Sequence, residues 1–204
     1  MRFIKTFESY EQSDILIIVD VQKSFKKFFT EMYINQLTKY CNNFNEVYQI
    51  FDNHVDGKNV DKDYLYDDEP EIPIHDDLYH FPNQKDIIEK RYRYDVDTSF
   101  FRKKMSKEQY KKIKSLEDGG KLKVGEHFEI NDGIILVFIG NNHNWFECPI
   151  KLYNLLTSLS GVEVIIIGGA EGECLEDIFI TAESIGVKVK KDKRYIYSAS
   201  YCPI

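Results

Sequence analysis

The chain has little with which to cross-link itself. Its 204 residues hold four cysteines, Cys41, Cys148, Cys174 and Cys202, with no paired or Cys-x-x-Cys spacing. A disulfide framework is therefore not expected, and reduced thiols in a cytoplasmic protein are. No apolar run approaches the roughly eighteen residues of a membrane span. The opening Met1-Arg2-Phe3-Ile4-Lys5 lacks the apolar core and small-residue cleavage site of a leader. Basic excess is missing as well: the formal charge of −7 argues against a general nucleic-acid binder. The basic stretch Arg102–Lys114 is interrupted by Glu108 and Gln109 and reads as the solvated face of a helix. Gly168-Gly169-Ala170-Glu171-Gly172 lacks Gly-x-Gly-x-x-Gly spacing and no Walker lysine follows, so dinucleotide and P-loop readings fall away. With no internal repeat, low-complexity tract or linker, residues 1–204 are expected to form one domain.

What is present is an alternation of buried strands and helices. Asp14–Asp20 is a near-continuous apolar run, the pattern of a strand covered on both faces. A helix follows from Glu31 to about Asn43, then a strand over Glu46–Phe51 and a short one over Asp86–Lys90. Between them, Val55 to Pro82 is acidic, polar and turn-rich, a long loop of the functional or mobile kind. Ser106 can cap a helix to about Leu116, and Leu122–Ile130 and Ile134–Ile139 flank Asn131-Asp132-Gly133 as a hairpin. Pro149 to Ser160 reads as a helix, Val162–Ile167 as a buried strand, Cys174–Ile185 as a helix, and Val187–Val189 opens a last strand. The expected fold is α/β: three layers, αβα, around a mostly parallel, Rossmann-like sheet, with an inserted helix and hairpin.

In such sheets sites gather beyond the C-terminal strand ends. Asp20 ends the first strand, Asp52 and His54 the second and Lys90 the third, while Cys174 follows the late strand. Cys174 opens a helix directly after a strand, where N–H groups and the macrodipole favour a thiolate. A thiol, a base for its proton and a cation are what amide cleavage needs. Each residue also has an ordinary reading: Asp20 as a turn cap, Lys90 as a surface cation, Cys174 as a core cysteine.

Three ordered pieces, spanning about residues 14–190, resemble the isochorismatase-like cysteine hydrolases, and more narrowly their nicotinamidase branch. Ile17-Ile18-Val19-Asp20-Val21-Gln22-Lys23-Ser24-Phe25 looks like the family's apolar strand and Asp-x-Gln-x-x-Phe element. Ile87-Ile88-Glu89-Lys90 with Thr98-Ser99-Phe100 looks like its lysine segment. Gly168 to Cys174, then Thr181-Ala182 and Gly186, resembles its nucleophile turn and helix. The resemblance implies a triad of Asp20, Lys90 and Cys174, an oxyanion hole from the N–H groups of Ala170 and Cys174, and a cis peptide at Gly169–Ala170. It places Phe25 at the substrate. It implies conversion of nicotinamide to nicotinate and ammonia through a thioester on Cys174, and self-association into a homo-oligomer. Asp52-Asn53-His54 and Pro73-Ile74-His75 look like the branch's Asp-x-His and Pro-x-His metal segments. They imply a divalent metal held by Asp52, His54 and His75, zinc first and iron or manganese next, with His80 as a substitute ligand. Three unrelated loop histidines are the ordinary alternative.

Departures are equally visible. Glu171 stands where many relatives have Thr, and close to the thiol it would oppose a thiolate if it pointed inward. Residues 101–147 replace a much shorter connection and supply Asn141-Asn142-His143-Asn144-Trp145-Phe146, whose Trp145 is expected either to stack on a planar substrate or to serve a structural role or a subunit contact. Two other functions fit the same residues: hydrolysis of a carbamoyl or ureido amide, and a binding protein that has lost turnover. The partner expected in each case is a small molecule, not a nucleic acid or a membrane.

Overall fold

A computed structural model describes residues 13–52, 74–90, 98–130, 134–140 and 145–198. Its centre is strand β1, Ile15–Val19, with all five side chains buried. Fully burying such a side chain contributes about 1.5–3 kcal/mol, which an edge strand could not collect. Leu16 and Ile18 face the helix α1, Glu31–Cys41, meeting Tyr33, Leu37 and Cys41. Ile15, Ile17 and Val19 face the other way, onto α4, Ile150–Ser158, and α5, Cys174–Ser184. Alternation along one strand thus builds two cores and three layers.

The sheet is completed by β2, Glu46–Asp52, β3, Gln84–Lys90, β7, Glu163–Gly168, and β8, Lys188–Ile196. Its order is β3-β2-β1-β7-β8, all parallel. The chain winds outward from β1 to β3, then returns to β1's other side as β7. The crevice between β1 and β7 is therefore the topological switch point, where sites form in open sheets. The three-layer α/β architecture is the one the sequence predicts.

The 101–147 region differs from expectation. After a 3₁₀ segment at Thr98–Lys104 comes α3, Lys107–Asp118, whose Ser106–Gln109 capping box closes its first turn. Then β4, His127–Ile130, β5, Ile134–Phe138, and β6, Trp145–Pro149, form a three-stranded antiparallel sheet, one strand more than a hairpin. One face of it, with Ile135, Val137, Phe146 and Cys148, joins the core of α4 and α5. The other, with Leu136 and Trp145, closes over Phe101, Met105 and Ile113 as a third core. No helix among the described residues is long and apolar enough to cross a membrane.

Candidate active site

Four strand ends converge at the switch point. Asp20 leaves β1 in the left-handed region, with φ 52°, its N–H donating to the Ile50 carbonyl at 2.8 Å. That turn directs a fully buried carboxylate across the sheet end, where its Oδ2 lies 2.9 Å from Lys90 Nζ. Lys90 closes β3, is itself 0% exposed, and lies 3.6 Å from Oδ2 of Asp52, its register partner at the end of β2. The Cys174 thiol lies close enough to the Asp20 carboxylate to influence its ionisation. The structure thus brings Asp20, Lys90 and Cys174 into one chain of contacts.

Cys174 reaches that position through a tight turn. Gly168 has φ 104°, and a Cβ there would strike the Val19 carbonyl; a Cβ on Gly169 would strike the Tyr197 ring. Only glycine fits at either position. The Gly169–Ala170 peptide is cis. Among the described residues, neither the Ala170 nor the Cys174 N–H donates to a backbone carbonyl, while the N–H groups of Glu173 and Leu175 both turn back to Ala170 O. Two donors at the turn thus have no backbone acceptor among the described residues, as an oxyanion site would require.

Burial dominates the electrostatics of the cluster. Burial drives the Cys174 thiol well above its ordinary range; Lys90 pulls it down, but Asp20, Asp52 and Asp177 add to the rise. This direction runs against the thiolate expected at the helix terminus. Burial raises the Asp20 carboxyl above its ordinary value, Lys90 opposes this and Asp52 reinforces it. Burial alone would lower Lys90, yet Asp20, Cys174 and Asp52 together raise it well above an ordinary lysine, so it stays an ammonium. Glu171 is exposed.

The other expected residues divide. Phe25 is half-buried against the aromatic cluster that also takes in Ala170 and Tyr197. Trp145 is not a pocket residue: it is 2% exposed, packed edge-on to Phe128 and Phe138 in the third core. It lies in β6, so alternation turns its ring into the insert, away from solvent. Of the metal set, only the Asp52 side chain is described; His54 lies outside the described residues, as does the His75 side chain. His80 is exposed. Among the described residues no three His, Cys, Asp or Glu side chains gather as a metal cage.

A polar hub beside the site escaped the sequence. Buried Gln22 donates to Asp77 Oδ2 at 2.6 Å and to the Asp52 carbonyl at 2.9 Å, and accepts from the Asp52 N–H at 2.9 Å. Ser24 adds its N–H and hydroxyl to the Asp77 carboxylate. Asp77 ends the short helix α2, Ile74–Asp77, the segment that carries His75. The hub thus ties the exit of β1 to the end of β2 and to α2. Gln22 belongs to the quoted motif, but Asp77 is one acid among many in an acidic loop, and nothing in its spacing marks it.

Comparison of the chain with protein-family models, with curated proteins and with solved structures found no match in any of the three.

Proposed function

We propose that this chain is a cysteine amidohydrolase of small carboxamides, with nicotinamide the first substrate. The observation that carries the reading is the buried Asp20 carboxylate, paired with the Lys90 ammonium at 2.9 Å and in electrostatic reach of the Cys174 thiol. A structural ion pair has no use for a thiol at a glycine turn with two unclaimed N–H groups.

The reaction follows from these contacts. As Cys174 Sγ attacks the amide carbon, its proton passes to Asp20, and the oxyanion takes hydrogen bonds from the Ala170 and Cys174 N–H groups. Asp20 then delivers that proton to the amide nitrogen; the C–N bond breaks and ammonia leaves a thioester. Water next gives a proton to Asp20 while its oxygen attacks the thioester carbon. The C–S bond breaks, and Asp20 returns the proton to sulfur. Lys90 keeps its charge throughout and holds the carboxylate between its two proton partners. The expected metal would be held by Asp52 with His54 and His75, and would orient a pyridine nitrogen.

The approach of Asp52 to Lys90 favours a second reading, a carbamoyl or ureido amide cleaved by the same triad with Asp52 serving as a counter-ion. Ammonia release from nicotinamide and from a ureido amide, by native protein and by Cys174→Ala and His54→Ala, separates the two. Release from nicotinamide that needs both Cys174 and His54 supports the first. Release from the ureide alone, insensitive to His54, supports the second. No release from either, with Cys174 inert to a thiol probe, leaves a binding protein.

A further inference from the structure

Tyr197 lies beyond every motif of the sequence, one residue after β8, yet it touches both halves of the site. Its hydroxyl donates to the main-chain carbonyl of Asp20 at 2.6 Å. Its N–H donates to the Gly168 carbonyl at 3.0 Å, and its own carbonyl accepts from the Glu171 N–H at 2.9 Å. These two bonds bracket the turn that presents Cys174. Its ring fills the space where Gly169 has no side chain. The ring cannot swing aside: Phe28 lies parallel to it at 6.2 Å, Phe29 approaches at 5.4 Å and Tyr33 stands edge-on at 6.3 Å. Burial, then the nearby Asp20 charge, hold the phenol protonated and so a donor.

Asp20 needs such a restraint. It occupies a left-handed conformation, which is strained for a residue with a side chain. A released Asp20 peptide would relax toward extended φ and carry the carboxylate away from the thiol.

We propose that Tyr197 is a positioning residue that keeps the base in register with the nucleophile, its phenol fixing the Asp20 peptide while its main chain fixes the Cys174 turn. This rests on the assignment of Asp20 and Cys174 as base and nucleophile. It requires no particular substrate.

The test compares Tyr197→Phe, which keeps the ring and main-chain bonds, with Asp20→Asn and Tyr33→Phe. Tyr33 is the matched control: its buried hydroxyl donates to the Tyr195 carbonyl at 2.9 Å in the same aromatic cluster, without touching Asp20. The readout is the pH dependence of iodoacetamide alkylation at Cys174, followed on its peptide by mass spectrometry, with thermal unfolding alongside. The expected result is that Tyr197→Phe moves the alkylation midpoint toward that of Asp20→Asn, while Tyr33→Phe loses comparable stability and keeps the native midpoint. On any amide that is turned over, kcat for Tyr197→Phe falls about tenfold with KM little changed. A native midpoint in Tyr197→Phe, or an equal shift in Tyr33→Phe, overturns the proposal. If Asp20→Asn itself keeps the native midpoint, the base assignment fails and takes this proposal with it. Failure to release ammonia from nicotinamide, with the midpoints ordered as expected, removes only the substrate.

Discussion

A lysine taken out of water with no partner costs several kcal/mol, and Lys90 is fully buried. It stays charged because Asp20 and Asp52 approach it from two neighbouring strand ends. Lys90→Met removes the cation and leaves two buried carboxylates facing each other. We expect it to lower the unfolding free energy by about 3–5 kcal/mol in urea titration; a loss under about 1 kcal/mol would mean that these carboxylates do not depend on the ammonium. Asp20→Asn is the subtler change. It keeps shape and burial but cannot accept a proton, so turnover should fall about a thousandfold in a folded protein. Activity within about tenfold of native would remove Asp20 as the base. Because burial raises Asp20, the acid limb of kcat/KM should lie above the ordinary carboxylate value of 3.8, and a limb at or below it would contradict the burial argument.

At the scale of elements, the turn from β7 into α5 is the least tolerant part of the site. Gly168→Ala would place a methyl group against the Val19 carbonyl at a φ of 104°, and should cost more than about 3 kcal/mol or prevent folding. Measured stability within about 1 kcal/mol of native would mean that the turn can rearrange. The elements legible in the sequence are those whose signal is local. Ile15–Val19 is apolar throughout because both faces are covered, and Cys174–Ser184 starts after glycines and stops before Gly186. The strand Trp145–Pro149 was hidden: it follows an amide-rich segment and ends in proline, so it reads as loop until β5 supplies its partner. The helix Ile74–Asp77 is too short for periodicity. Asp20, Lys90 and Cys174 could be placed because each follows a recognisable strand. Tyr197 and Asp77 could not, since what marks them is contact across 177 and 53 to 55 positions of sequence.

Across the whole molecule, the insert is part of the structure that holds the site. Phe146 packs into the core shared with α4 and α5, and Trp145, one residue away, packs into the opposite core. Phe146→Ala and Trp145→Ala should each cost about 3–5 kcal/mol. Because Trp145 faces away from the site, Trp145→Ala should leave KM unchanged on the folded fraction, and a raised KM would return it to the pocket. The pH dependence of stability has two opposed parts. Glu46 is lowered by the bond from Tyr48 and Asp86 by the bond from Lys151, while in Asp192 the bonds from Arg194 and Tyr40 outweigh burial. Groups lowered in the fold contribute above their ordinary values and lose that contribution as pH falls through the folded ones; at these partly exposed positions solvent screening keeps the effect small. Asp20, raised in the fold, runs the other way, its contribution being full below its unfolded value and lost as pH rises through its folded one. The proposed thioester would add its mass to the chain, and that mass is the most direct test of the proposed chemistry. Protein quenched in acid during turnover of nicotinamide should carry one pyridine-carbonyl group, located on the Cys174 peptide and absent from Cys174→Ala. Ammonia release without that adduct, or with the adduct on another residue, would contradict the account.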